Sequence, residues 1–337
     1  MARRCSNPQC QIEETGHCLE GFEDLEDCSS YNGDLVEEVS QSPENTVSAT
    51  RELTEDKITL LGRLPLDPES ADALLKNTGG KIIACVGPAN VGKTTLFASL
   101  YDLLQKGPIA NWSFGGSATI YPFEELCHSA RSTSGRDRPE TPRTFASDGL
   151  NFYHLSLYER SGNREELFLA DRAGELYSNA ADSSQACEQL LEVRRADIVL
   201  MLVDAESLGD KAKRHLAKRQ TLNVIQAFSA SSIINTGTKV IITLTRYDLA
   251  VKNESNALAT AEHERIIESA RETLGPGITV AGEIIAARPD FIERIEPGQG
   301  VPSLLKSIVD HKIPKAKLAR NSSEKASRTF LDPEFAL

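Results

Sequence analysis

One octapeptide limits what this chain can fold into more than anything else in its 337 residues. Gly87-Pro88-Ala89-Asn90-Val91-Gly92-Lys93-Thr94 follows Lys81-Ile82-Ile83-Ala84-Cys85-Val86, an apolar run that reads as a buried strand. It leads into Thr95-Leu96-Phe97-Ala98-Ser99-Leu100, where Leu96, Leu100 and Leu103/Leu104 recur at helical spacing. Strand, G-x-x-x-x-G-K-T and helix, in that order, make a phosphate-binding loop; a chance glycine turn would lack the flanking elements. Gly87 and Gly92 let the backbone wrap phosphates together with Asn90 and Val91, and the first-turn amides around Thr95 offer donors backed by the helix dipole. Lys93 is expected to reach the β- and γ-phosphates, and the Thr94 hydroxyl to ligate Mg2+.

The downstream order is consistent with one nucleotide site. Two extended segments, 151–158 and 165–170, flank the turn residues Ser161-Gly162-Asn163 and predict an antiparallel hairpin. The second runs into Asp171-Arg172-Ala173-Gly174-Glu175. An Asp at a strand end with a Gly three residues later suits a metal and γ-phosphate sensor: Asp171 would hold Mg2+ through water, and the Gly174 amide would bind the γ-phosphate. A strand over 197–204, a helix over 210–228 and a strand over 239–244 follow, the last ending in Thr245-Arg246-Tyr247-Asp248. Here Asp248 would accept from guanine N1 and the 2-amino group, a donor pair adenine lacks, with Thr245 beside it and Arg246 stacked on the base. A helix over 257–274, a strand over 283–288 and a helix over 302–310 complete the pattern, and an amide at Ala286 or Ala287 is placed to bind guanine O6.

The set Gly87–Thr94, Asp171/Gly174, Thr245–Asp248 and 286–288 resembles the translation-factor/Ras-type class of P-loop GTPases over roughly residues 80–310. Asp171-Arg172-Ala173-Gly174-Glu175, together with the Cys-rich start Gly16-His17-Cys18-Leu19-Glu20-Gly21-Phe22, is similar to the bacterial double-GTPase family. That resemblance implies a GTP-binding and GTP-hydrolysing switch that uses GTP and Mg2+ and acts with a protein partner, a second GTPase, in bacterial conflict systems. It puts Glu175 where Ras-like enzymes carry a water-orienting Gln, and Arg246 where they carry Lys. An ATPase, and a nucleotide-dependent interaction module without turnover, are the competing functions.

The class also implies a first switch with a threonine on Mg2+ and the γ-phosphate. It should lie in the Gly-, Ser-, Pro- and Arg-rich stretch 106–150, which reads as a long irregular loop. Arg138-Pro139-Glu140-Thr141-Pro142-Arg143-Thr144 offers Thr141, the preferred residue, and Thr144. Arg138, three residues before Thr141, resembles the built-in arginine of heterotrimeric G-protein α subunits; a solvated basic loop is the competing reading.

Charge and cysteine usage set off the N-terminus. Of the net −12, residues 1–56 carry −11, with 14 acidic and 3 basic side chains. Such a segment repels phosphate backbones and argues against nucleic acid as a partner. Cys5, Cys10, Cys18 and Cys28, four of seven cysteines, lie within the first 28 residues beside His17. In a reducing compartment they are read as a tetrahedral Zn2+ site that would fold a segment too short for its own core, against scattered thiols on a disordered arm. No run approaches the ~20 apolar residues of a membrane helix, and the polar start predicts a cytoplasmic location.

The expected organisation is a Cys-rich module at 1–30, an acidic linker at 31–78, a GTPase domain at 79–311 and a polar tail at 312–337. The domain is predicted as a three-layer α/β fold whose mostly parallel sheet carries one antiparallel edge strand. Cys85, Cys127 and Cys187 are expected in its core, and Leu216, Leu222, Ile225 and Phe228 on the buried face of the 210–228 helix, with its basic residues solvated.

Overall fold

Strand β1, Lys81–Val86, is buried at all six positions because it has a strand on either side and helices above and below. The computed structural model describes residues 62–129, 149–181, 183–290 and 294–313. Arg138, Thr141, Thr144, the four N-terminal cysteines, residues 31–61 and the tail from 314 lie outside them. The sheet has seven strands in the order β2-β3-β4-β1-β5-β6-β7. They are β2 Trp112–Gly116, β3 Asn151–Glu159, β4 Arg164–Asp171, β5 Ile198–Asp204, β6 Lys239–Thr245 and β7 Thr279–Ile284.

β1 pairs in parallel with β4 and β5, and β6 and β7 continue in the same sense. β3 runs against β4 in register from Asn151↔Asp171 to Tyr158↔Arg164, closed by the expected turn with Gly162 at φ 94°. β3 is the one strand opposed to the rest, and it lies one place in from the edge. The edge itself is β2, which pairs antiparallel with β3 and comes from the stretch read as irregular.

Helices cover both faces. Ile83 and Cys85 of β1 point to the face packed by α2 Lys93–Lys106, α3 Ile120–Ser129 and α11 Val301–Val309. Phe97, Phe123 and Tyr153 pack their rings there at centroid distances of 5.5 and 5.1 Å. Burying each such ring is worth roughly 1.5–3 kcal/mol. Ala84 and Val86 point to the other face. It is packed by α4 Gly174–Ala180, α5 Ser184–Glu188, α6 Leu191–Arg195, α7 Ala205–Gly209, α8 Arg214–Ala230, α9 Tyr247–Lys252 and α10 Asn256–Leu274. Cys85, Cys127 and Cys187 are buried, as expected.

Four local outcomes differ from the sequence expectation. The 62–78 part of the stretch read as linker contributes a bridge, Leu66↔Phe152, and helix α1, Pro68–Thr78. Asp67 caps that helix by accepting from the Ser70 N–H, and Ala71 and Leu75 bury against Phe152 and Phe168. The helix expected over 210–228 starts four residues later, as α8 at Arg214, behind the separate short helix α7: Gly209, which ends α7, packs so closely on Ser255 that a Cβ would stand 2.3 Å from its Oγ, and the Asp210 carboxylate takes the Ala212 N–H in the turn between. The buried stripe of α8 is Thr221, Val224, Ile225 and Phe228; Leu216 is off that stripe and 52 % exposed. Finally, β7 runs over Thr279–Ile284, four residues before the expected strand, which frees Ala286 and Ala287 for the loop beyond the sheet.

Candidate nucleotide-binding site

The motif residues collect where β1, β4 and β6 end, the rim at which open α/β sheets bind ligands. The loop after β1 turns twice through left-handed backbone, at Asn90 (φ 62°) and Gly92 (φ 97°), the second serving as N-cap of α2. Only glycine takes such a φ at no steric cost. At Gly87 the limit is space, since a Cβ would lie 2.9 Å from the Leu202 carbonyl and 3.0 Å from Val91. Lys93 is buried, and its ammonium donates to the Gly87 and Pro88 carbonyls at 3.0 and 2.9 Å. Burial pushes its pKa below the ordinary lysine value, and the Asp171 carboxylate opposes that push. Thr94 and Thr95 follow in the first turn of α2, whose amides lack partners in their own helix.

Gly174 opens α4 directly against the loop. A Cβ there would stand 2.4 Å from Pro88 C and Ala89 N and 2.7 Å from Gly87 O. The start of α4 and the loop after β1 therefore meet backbone to backbone. Asp171 is buried at the end of β4, close enough to act on both Lys93 and Cys85, whose thiol it helps push up after burial has done most of it. Glu175, next to Gly174, is exposed in the first turn of α4.

β6 holds the loop from the other side. The buried Thr245 hydroxyl donates to Val91 O at 2.7 Å, with Val203 O at 3.1 Å. Arg246 is left-handed (φ 54°), and its guanidinium meets Asp204 at 3.3 Å and Glu206 at 2.8 Å. Asp248 is buried and accepts from the Asp290 N–H at 3.0 Å, which fixes its carboxylate beside the loop after β7. In that loop the Ala286 amide donates to Gln299 O, so of the two amides expected to serve guanine O6, Ala287 is the candidate. The Ser99 hydroxyl on α2 donates to the Ala287 carbonyl at 2.8 Å and ties this loop to the phosphate-binding helix.

Oxygen donors of the kind Mg2+ takes, the Thr94 hydroxyl and the Asp171 carboxylate, both belong to this site. Among the described residues no group of three or more His, Cys, Asp or Glu is placed to hold a metal ion, and no helix is long and apolar enough to cross a membrane.

Sequence reasoning missed three sets of contacts around the expected residues: Asp204 and Glu206 on Arg246, Ser99 on Ala287, and a buried cluster of Arg172, Tyr177 and Glu192 behind Gly174. Each lies some 15–190 positions from its contact, beyond any local spacing. The one available signal was charge, Glu192 in the buried layer between Leu190 and Val193.

Among solved structures, the chain is similar to the S. cerevisiae Ski7 GTPase-like domain bound to GTP, with 17% identity and a TM-score of 0.39 over 75% of this chain and 54% of that one. It is similar to Sup35 complexed with GDP, with 13% identity and a TM-score of 0.33 over 72% of this chain and 50% of that one. It thus spans about half the length of those chains. No curated protein matches. Residues 81–309, about two thirds of the chain, match the Double-GTPase 2 family model, and the chain belongs to that family.

Proposed function

We propose that the protein is a GTP-binding and GTP-hydrolysing switch. The observation that supports this reading is the close approach of Gly174, three residues after β4, to Pro88 and Ala89 in the loop after β1. Family membership supports it. In this reading the loop amides and Lys93 hold the β- and γ-phosphates, and Lys93 exchanges its two carbonyl acceptors for phosphate oxygens. Asp248 and the Ala287 amide select guanine, and Thr245 keeps the loop seated. Thr94, Asp171 and Thr141 would hold Mg2+, which neutralises phosphate charge when bound. Glu175 would accept from the attacking water, and Arg138 would offset the charge of that carboxylate.

The resemblance to double GTPases supports a second GTPase as partner, in the cytoplasm of a bacterium. A nucleotide-dependent interaction module with negligible turnover is favoured by one feature, a carboxylate at 175 beside an anionic transition state. Single-turnover hydrolysis, alone and with the partner, separates the two readings.

The direct test is equilibrium titration with fluorescent GTP, GDP and ATP. GTP should bind at least about tenfold tighter than ATP, a difference of roughly 1.4 kcal/mol. Asp248→Asn should trade part of the guanine preference for xanthine, because the amide replaces an acceptor with a donor. Equal affinities for GTP and ATP in the parent protein would sink the guanine assignment.

A further inference from the structure

Behind Gly174 sits a charge with no part in the chemistry above. Glu192, in the first turn of α6, is 0 % exposed. Its Oε1 is met by the Arg172 guanidinium at 2.8 Å and by the Tyr177 hydroxyl, which donates to it at 3.1 Å. Its Oε2 has no hydrogen-bond partner among the described residues. Burial pushes this carboxyl above its ordinary range, and the Arg172 guanidinium pulls it back. A buried pair with an unsatisfied oxygen is a poor stabiliser: apolar residues of the same volume would serve the core as well or better. The best-attested use of such a pair is to fix one arrangement among alternatives.

The position of the pair says which arrangement. Arg172 is two residues before Gly174 and Tyr177 is three after it, so one carboxylate grips both ends of the segment that presents Gly174 and Glu175. Empty space lies beside that segment. A cavity of about 390 Å3 lies between α4, β5 and α8, lined by Tyr177, Ser178 and Ala181 on one side and Thr221 and Val224 on the other, with Pro88 and Ala89 at one wall. Tyr177 and Ser178 already stand at its edge.

We propose that Glu192 is a positioning residue for the γ-phosphate response: by holding Arg172 and Tyr177 it keeps Gly174 against the phosphate loop, and releasing them lets α4 move into the neighbouring cavity. This rests on the GTP-switch reading. GDP, which has no γ-phosphate to meet Gly174, does not feel the grip; a GTP analogue does.

The test compares the parent with Glu192→Gln, Tyr177→Phe and the apolar pair Arg172→Met/Glu192→Leu, by titrating each with GDP and with a non-hydrolysable GTP analogue. All three should bind GDP within about twofold of the parent. Glu192→Gln and the apolar pair should lose about tenfold in analogue affinity, an ordinary size for coupling between two groups. Tyr177→Phe removes one hydroxyl and keeps the fold, so it gives an answer even where a variant at 192 does not fold; it should lose about threefold. A merely structural role would lower both affinities together, or only the melting temperature, and either result overturns the proposal. Variants that still tell the analogue from GDP as the parent does overturn it alone. A parent that binds neither nucleotide overturns the switch reading, and this inference with it.

Discussion

Gly174 is the residue at which the site tolerates least change. Its constraint is room, since it opens a helix with ordinary backbone, and the missing Cβ is what lets it touch Pro88 and Ala89. Gly174→Ala must push the loop or α4 aside, a strain of about 1–3 kcal/mol. The expected outcome is a lower melting temperature and a larger loss of GTP-analogue affinity than of GDP affinity; equal losses would place the close approach outside the γ-phosphate response. Arg138→Ala tests the proposed arginine in cis. Where an arginine finger operates it is worth roughly 10³–10⁵ in rate, so single-turnover hydrolysis should fall steeply with GTP affinity nearly intact. Unchanged hydrolysis would take Arg138 out of the reaction. At this scale the turn after β1 was legible, because its pattern is local: glycines at 87 and 92, a lysine and a hydroxyl within eight residues, with left-handed backbone at Asn90 and Gly92. The partners of Arg246 were not, because Asp204 and Glu206 reach it across about 40 positions.

At the scale of elements, the β3–β4 hairpin and the start of α3 are joined by one buried network. His154 Nδ1 accepts from the Ala118 N–H at 3.0 Å, so the ring proton is on Nε2 and is donated to Glu166 at 2.9 Å. Burial pushes the His154 pKa below its ordinary value of about 6.5, Glu166 pulls it up, and Arg164 adds to the push down. His263, donating to Ile242 O at 2.8 Å, is shifted the same way, again chiefly by burial. With a lowered folded pKa, the unfolded chain binds more protons below about 6.5. The stability these groups contribute is full above that value and is lost as pH falls through it toward the folded pKa. Glu192, shifted up, works in the opposite sense. The melting temperature should therefore drop between pH 7.5 and 5.5, and His154→Gln should remove part of the drop; an undiminished drop assigns it to other groups. The hairpin and most strands were legible from apolar runs and turn residues. β2 was not, because Trp112-Ser113-Phe114-Gly115-Gly116 is short, carries a bulge and has no clean alternation. α1 was hidden by the acidic composition around it, which drew attention from Ala71, Leu74 and Leu75.

For the whole molecule, the acidic N-terminal segment and the nearly neutral remainder pose separate questions. We propose one Zn2+ held by Cys5, Cys10, Cys18 and Cys28, on the clustering of four thiols within 28 residues. Elemental analysis of protein purified without chelator should give about one zinc per chain, and Cys10→Ser/Cys18→Ser should remove it while nucleotide binding persists. Unchanged metal content in that variant would refute the site. The overall architecture was legible because each motif follows an apolar run, and those runs are strands that lie side by side in one sheet. The helix that covers the far strands, and the latch behind Gly174, depend on contacts that no periodicity announces.

Because β3 runs against β4, Asn151 and Asp171 share the last rung of a two-stranded ribbon that is nine residues long on the β3 side. Its other end is a tight turn, where Ser161 and Asn163 both donate to the Glu159 carboxylate. The ribbon cannot slip by one residue, since that would turn the buried side chains of both strands to the wrong face. It is also held at its sides, β2 pairing with β3 and β1 with β4, so any tilt carries this edge of the sheet with it as one beam. At about 3.3 Å per residue the beam is roughly 30 Å long. A tilt of a few degrees about Asp171 would sweep the turn through roughly 2–3 Å. A sub-ångström adjustment at Asp171 would then become a several-fold larger displacement at Ser161 and Gly162.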